Sequence, residues 1–207
     1  MKGLLLKDWY MLLLRFRIVL PFCLLFLAMG VFGSGSQYLF LIYPALILSV
    51  LPFSLFAYDE RDRWLGFCGA LPVSRGQYVS AKYLITPIVH GLLLLLTAAA
   101  ELIVGLVRGE LAFQVLPQMA AACLLFMLMP SILMPLILRF GSEKGRIIYY
   151  ILIAVTTAIV FALGPRYAME ADGPASLPLP LLTVAAVVIY AGSWLLSVWL
   201  YQRRELK

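Results

Sequence analysis

The chain has 207 residues, of which 64% are hydrophobic and 13% charged, and its formal charge is +6; its mean hydropathy is +1.00. An ordinary soluble domain is about half apolar and a quarter charged, so a water-soluble globule is excluded. The basic balance reads as residues flanking membrane spans and meeting anionic lipid, with no nucleic-acid partner expected.

Residues 1–17 form a basic, amphipathic start. Lys7, Asp8, Met11 and Arg15 make a narrow polar strip on a Leu-rich helix, which suits a helix lying in the interface before the chain turns into the bilayer. A secretory signal is the rival reading, with the small residues Gly33, Ser34 and Gly35 after an apolar stretch. It is disfavoured because no soluble mature domain follows. Six apolar spans come next, at 18–32, 38–57, 84–107, 115–138, 147–163 and 179–201, against the roughly 20 residues a bilayer requires; the first and fifth are short, and the first is expected to borrow a turn from the preceding helix. The fold class is therefore all-α, a polytopic membrane protein. Pro21, Pro44, Pro52, Pro87, Pro117, Pro130 and Pro135 lie within or at the ends of these spans, and neighbouring helices are expected to satisfy the carbonyls they free. No repeat or linker divides the chain, so 1–207 reads as one domain.

The longest polar interruption is 58–83. It reads as two short helices joined by a turn, an elbow between the second and third spans. Asp59 is placed to cap the first helix, with Glu60 and Asp62 in its first turn. Trp64, Phe67, Cys68 and Leu71 follow at i, i+3, i+4 and i+7, an apolar stripe beside the charges of Arg61 and Arg63. Pro72 stops that helix. Ser74 and Gln77 then have the spacing of a capping box, and Val73 and Tyr78 that of a hydrophobic staple. The second helix runs past Arg75 and Lys82 directly into the third span.

Basic residues alternate by segment. Lys2, Lys7, Arg15 and Arg17 lie at the N-terminus, and Arg61, Arg63, Arg75 and Lys82 in the elbow. Arg139, Lys144 and Arg146 lie in the loop 139–146, and Arg203, Arg204 and Lys207 in the tail. The intervening segments hold only Arg108 and Arg166. By the positive-inside rule both termini, the elbow and the loop 139–146 face the cytoplasm.

Little in the spans carries chemistry. Glu101 is the acid inside a span, a functional hypothesis by default; its place six residues before Val107 favours an interfacial acid or a pair with Arg108. His90 is the sole histidine and lies about three turns away on the same helix, too far to pair with it. A packing histidine is the simpler reading, and a metal site would need more ligands. Cys23, Cys68 and Cys123 have no CxxC spacing and give neither a disulfide framework nor a zinc site. There is no GxSxG, HExxH or P-loop motif, so the chain is not expected to be an enzyme. Any ATP it uses must be bound by another polypeptide.

Asp59-Glu60, Trp64, Leu71-Pro72-Val73-Ser74-Arg75, Val79 and Lys82-Tyr83 resemble the ABC-2 type transporter permeases, in particular the small six-span bacterial branch. The start Met1-Lys2-Gly3-Leu4-Leu5-Leu6-Lys7-Asp8 and the loop Phe140-Gly141-Ser142-Glu143-Lys144-Gly145-Arg146 resemble theirs as well. The resemblance implies a six-helix permease domain in the bacterial plasma membrane. It also implies an N-terminal interfacial helix and a coupling helix between spans two and three. Partners would be a second permease and two cytoplasmic ATPase subunits, which would hold the ATP and Mg. Relatives often carry re-entrant helices before the last span, where 164–178 is short and rich in Gly and Pro here.

These readings converge on the membrane subunit of an ABC exporter moving an amphipathic peptide, lipid or drug. The expected ATPase-docking set is Asp59, Glu60, Arg61, Asp62, Arg63, Trp64, Phe67, Leu71, Ser74 and Arg75. A second cytoplasmic contact is expected at Ser142, Glu143, Lys144 and Arg146. The alternative is a stand-alone channel or secondary carrier using Glu101, and a membrane-embedded enzyme ranks third.

Overall fold

The computed structural model describes residues 2–15, 17–32, 37–68, 73–108, 115–169 and 179–203. These residues form α1 (Lys2–Arg15), α2 (Val19–Phe32), α3 (Gln37–Ser49), α4 (Leu51–Arg61), α5 (Trp64–Cys68), α6 (Arg75–Arg108), α7 (Val115–Phe140), α8 (Ser142–Met169) and α9 (Leu179–Arg203). No strand occurs among the described residues. In hydrocarbon each backbone N–H and C=O must be paired within the protein, and helices do this segment by segment.

Among the described residues, four helical stretches are long and apolar enough to cross a bilayer: Ile42–Arg61, Arg75–Val107, Val115–Phe140 and Thr183–Arg203. The pair Lys2–Leu14 and Val19–Val31, bent by 76°, makes a fifth if counted as one broken span. The six expected spans are thus matched by four or five. The expected first span corresponds to α2, 14 residues long. That is about 21 Å of helix against a hydrocarbon core of roughly 30 Å. The expected fifth span lies in α8, where Ile147–Ala158 is a shorter apolar helix. The loop expected at 164–178 begins as helix, because α8 continues to Met169; the rest of it lies outside the described residues.

The helix α7 is the centre of the fold and packs against α3, α6, α8 and α9. One buried cluster gathers Leu48, Leu51, Leu55, Ile85, Val89, Met119 and Phe126. A second, at the elbow end, gathers Leu4, Phe53, Phe56, Tyr78, Val79, Met134, Ile137 and Tyr201.

Prolines shape α6 and α7. Pro87 cannot donate to the carbonyl four residues back, and that carbonyl, on Tyr83, receives the Tyr190 hydroxyl of α9 instead. Pro135 likewise frees the carbonyl of Ser131, which receives the Ser193 hydroxyl of α9. Two freed acceptors are therefore served by one neighbouring helix, as the expectation for prolines in spans requires. The Tyr83 hydroxyl completes the set, lying 2.8 Å from Ser193 Oγ and 2.6 Å from Ser197 Oγ.

The joint between α7 and α8 takes a single residue. Gly141 has φ +87°, a conformation costly for any residue with a Cβ. Its N–H donates to the Ile137 carbonyl at 2.8 Å, and its carbonyl accepts from Gly145 N–H at 3.1 Å. A Cβ on Gly145 would stand 2.6 Å from Ile137 Cγ1, so the two helices meet there at glycine distance.

Candidate functional site

The elbow is built differently at its two ends. Its second half matches the sequence pattern. The Gln77 N–H donates to Ser74 Oγ at 3.2 Å, and the Ser74 N–H to Gln77 Oε1 at 3.1 Å, a reciprocal capping box. Val73 and Tyr78 belong to the same apolar cluster. The helix so started is α6, which runs unbroken for 34 residues. Arg75 Nη1 donates to the Gln202 carbonyl at 3.2 Å. A cation thus meets the C-terminal end of α9, where the helix dipole favours it.

The first half corrects the reading of Asp59. It does not cap a helix, because α4 runs through it to Arg61. The chain then turns at Asp62 and Arg63, the latter at φ 53°, and α5 starts at Trp64 and is described as far as Cys68. Asp59 sits in the last turn of α4 at 1% exposure. An acid there opposes the helix dipole, and two lysines offset it. Lys7 Nζ donates to Asp59 Oδ1 at 2.6 Å, and Lys82 Nζ lies 2.7 Å from Asp59 Oδ2. The Tyr78 hydroxyl donates to Asp59 Oδ2 at 2.9 Å. Asp59 therefore faces the protein interior.

The same lysines hold a second acid. Asp8 Oδ1 accepts from Lys82 Nζ at 2.7 Å and lies 3.1 Å from Lys7 Nζ. Four charges from α1, α4 and α6 thus close into a lattice with no net charge. Lys7 Nζ also stands 4.5 Å from the centre of the Trp64 ring, and Lys82 Nζ 5.5 Å from that of Tyr78. Of the polar strip expected on the N-terminal helix, Lys7 and Asp8 face protein and Met11 packs against the apolar core, while the side chain of Arg15 lies outside the described residues. The opposite face carries Leu6, Tyr10, Leu13 and Leu14 outward. Sequence reading missed this constellation. Its only signal was Lys82, a lysine entering an apolar span between two tyrosines, with Asp8 on a helix expected to meet lipid.

The remaining docking candidates divide by exposure. Arg61, Asp62, Arg63, Phe67, Ser74 and Arg75 are exposed, and Glu60 and Trp64 half-buried. Leu71 lies outside the described residues. Arg61 and Asp62 approach at 3.5 Å, and exposed neighbours of this kind contribute little to stability. The two aromatics of the expected stripe part company. Phe67 is 58% exposed, while Trp64 packs against the elbow-end cluster and over Lys7. Their rings remain 5.2 Å apart. The second expected contact lies close by: Glu60 Oε1 is 3.5 Å from where a Cβ of Gly141 would stand. Lys144 is exposed there; the side chains of Ser142, Glu143 and Arg146 lie outside the described residues.

Glu101 and His90 are not brought together. Glu101 is buried, and its carboxylate accepts the N–H groups of Val115 at 2.6 Å and Leu116 at 3.0 Å. It caps α7 from another helix, satisfying donors that a helix start leaves unpaired. His90 is buried with Nδ1 2.9 Å from the Thr86 carbonyl.

A family model described as an ABC-2 family transporter protein matches residues 3–202. No curated protein and no solved structure matches the chain.

Proposed function

The chain belongs to the ABC-2 family of transporter proteins, and we propose that it is the membrane subunit of an exporter driven by a separate cytoplasmic ATPase. The permease component of such a transporter has no need of a catalytic centre; it needs a surface that takes up force and a rigid path into the bilayer. The observation that carries this reading is the elbow. A short helix displaying Phe67 precedes a capped and stapled start that continues without a break into α6. ATP binding would draw two ATPase subunits together and press on this elbow. A tilt of α6 would then reach α7 and α9 through the shared hydroxyls of Tyr83, Tyr190 and Ser193.

The full assembly in this reading pairs two permeases around one pathway in a bacterial plasma membrane, with the elbow and both termini in the cytoplasm. Six spans per subunit would follow if α1 with α2 and the whole of α8 each count as one. An amphipathic peptide is the first substrate class to test, with lipid or drug next. The stand-alone carrier loses its main support, because both Glu101 oxygens are engaged by backbone N–H groups at the start of α7.

Purification of the tagged chain from native membranes tests this. A co-purifying protein with a P-loop is the expected result. Phe67→Ala should lower ATPase recovery while leaving the amount of chain in the membrane unchanged, since Phe67 is exposed. Burying an aromatic anchor of this kind typically contributes about 2 kcal/mol or more to binding. Transport by the purified chain alone, independent of any ATPase, would overturn the reading.

A further inference from the structure

The lattice of Lys7, Asp8, Asp59 and Lys82 is divisible in a particular way. The half carried by α1 is a balanced pair, Lys7 and Asp8, 3.1 Å apart. The half carried by α4 and α6 is also balanced, Asp59 and Lys82 at 2.7 Å, with Tyr78 donating to the same carboxylate. The bonds that join the halves are Lys7 to Asp59 and Lys82 to Asp8. Parting them strands no single charge, whereas losing any one member does. Leaving a buried charge without a partner costs far more than keeping it paired, so parting into two internally neutral halves avoids the larger penalty. The rest of α1 is compatible with such parting. Its outward face is apolar at Leu6, Tyr10, Leu13 and Leu14, a face that lipid at the interface would hold whether or not the lattice is closed. Beyond it the chain bends by 76° into α2.

We propose that this lattice is a separable latch through which the elbow moves α1, and that Lys7 and Asp8 are positioning residues for coupling. The mechanical role rests on the permease reading; the latch itself does not. When closed, the latch ties α1 to the last turn of α4 and the second turn of α6. Displacement of the elbow then carries α1, and through the bend α2, along with it. When open, α1 stays at the interface and α2 is released from the elbow.

The test is the double variant Lys7→Met, Asp8→Asn in the full chain. It removes the α1 half and leaves Asp59, Lys82 and Tyr78 paired. In lipid nanodiscs without any ATPase, amide exchange over 2–15 should quicken by about tenfold or more, with exchange over 75–85 unchanged. Exchange over 2–15 equal to the unaltered chain overturns the latch. With the co-purified ATPase in proteoliposomes, the double variant should hydrolyse ATP but move less substrate per ATP. Unchanged transport per ATP overturns the coupling role. The variant Lys7→Arg, Asp8→Glu keeps both charges and should keep both protection and coupling. A measurement on the unaltered complex covers the case in which the double variant fails to fold: exchange over 2–15 should differ between nucleotide-free and nucleotide-bound states, and identical exchange overturns the proposal. If the unaltered chain with its ATPase shows no ATP-driven transport, the permease reading falls and the coupling role with it, while the nanodisc experiment still decides the latch.

Discussion

At the scale of single residues, charges here are placed by their partners more than by their exposure. Lys82 is 1% exposed and bonds two carboxylates at 2.7 Å each. Lys82→Met would leave Asp8 and Asp59 sharing Lys7 alone. Breaking a buried pair from one side typically costs about 3–5 kcal/mol. The double change Asp59→Asn, Lys82→Met leaves Lys7 and Asp8 balanced and should cost less than the sum of its parts. Heat stability of the detergent-solubilised chain measures this, and strict additivity would show that the four charges do not act together. Glu101 obeys the same logic. Glu101→Gln keeps one acceptor oxygen but turns an NH2 toward the second N–H of α7. The mismatch should lower stability by about 1–3 kcal/mol, while the protein that folds transports within a few-fold of the unaltered chain. Complete loss of transport at normal stability would instead mark Glu101 as a coupling-ion site.

At the scale of elements, proline and glycine set where helices bend and meet, and α9 supplies what proline removes. The Tyr190 hydroxyl stands in for the N–H that Pro87 lacks. Tyr190→Phe should therefore destabilise the chain, and Pro87→Ala should soften that loss by restoring a backbone donor to the Tyr83 carbonyl. The two changes form a cycle whose coupling energy falls in the range of about 0.5–3 kcal/mol seen for groups in one hydrogen-bond network. Zero coupling would mean that the hydroxyl and the missing N–H do not serve one carbonyl. The elbow shows a second element-level rule. The α4 helix continues past its expected end because Asp59 gains more from Lys7, Lys82 and Tyr78 inside the protein than from capping a helix in water. The turn is displaced to Asp62 and Arg63, where Arg63 takes the positive φ.

At the scale of the whole molecule, the division of basic residues between alternate segments predicts which side each loop faces. Membrane-impermeant thiol reagents added from outside should label cysteines placed at Ser36 or Ala171 and spare those at Ser74 or Ser142. Outside labelling at Ser74 would reverse the topology and remove the elbow from the ATPase. What the sequence by itself determined was local or additive. Hydropathy sums residue by residue, so membrane insertion and most spans could be read without a fold. The capping box of Ser74 and Gln77 spans three residues and needs only α-helical geometry. The family resemblance rested on short contiguous motifs, and the family match agrees with it. Only the tertiary structure decided the lattice, because Asp8 and Lys82 are 74 residues apart and neither side chain carries a sign of which helix will cross it. The same holds for Glu101, whose partners on α7 become available only when α6 and α7 lie side by side. A charge in a membrane protein must find its partner, and the partner is chosen by how helices pack, which no local pattern records.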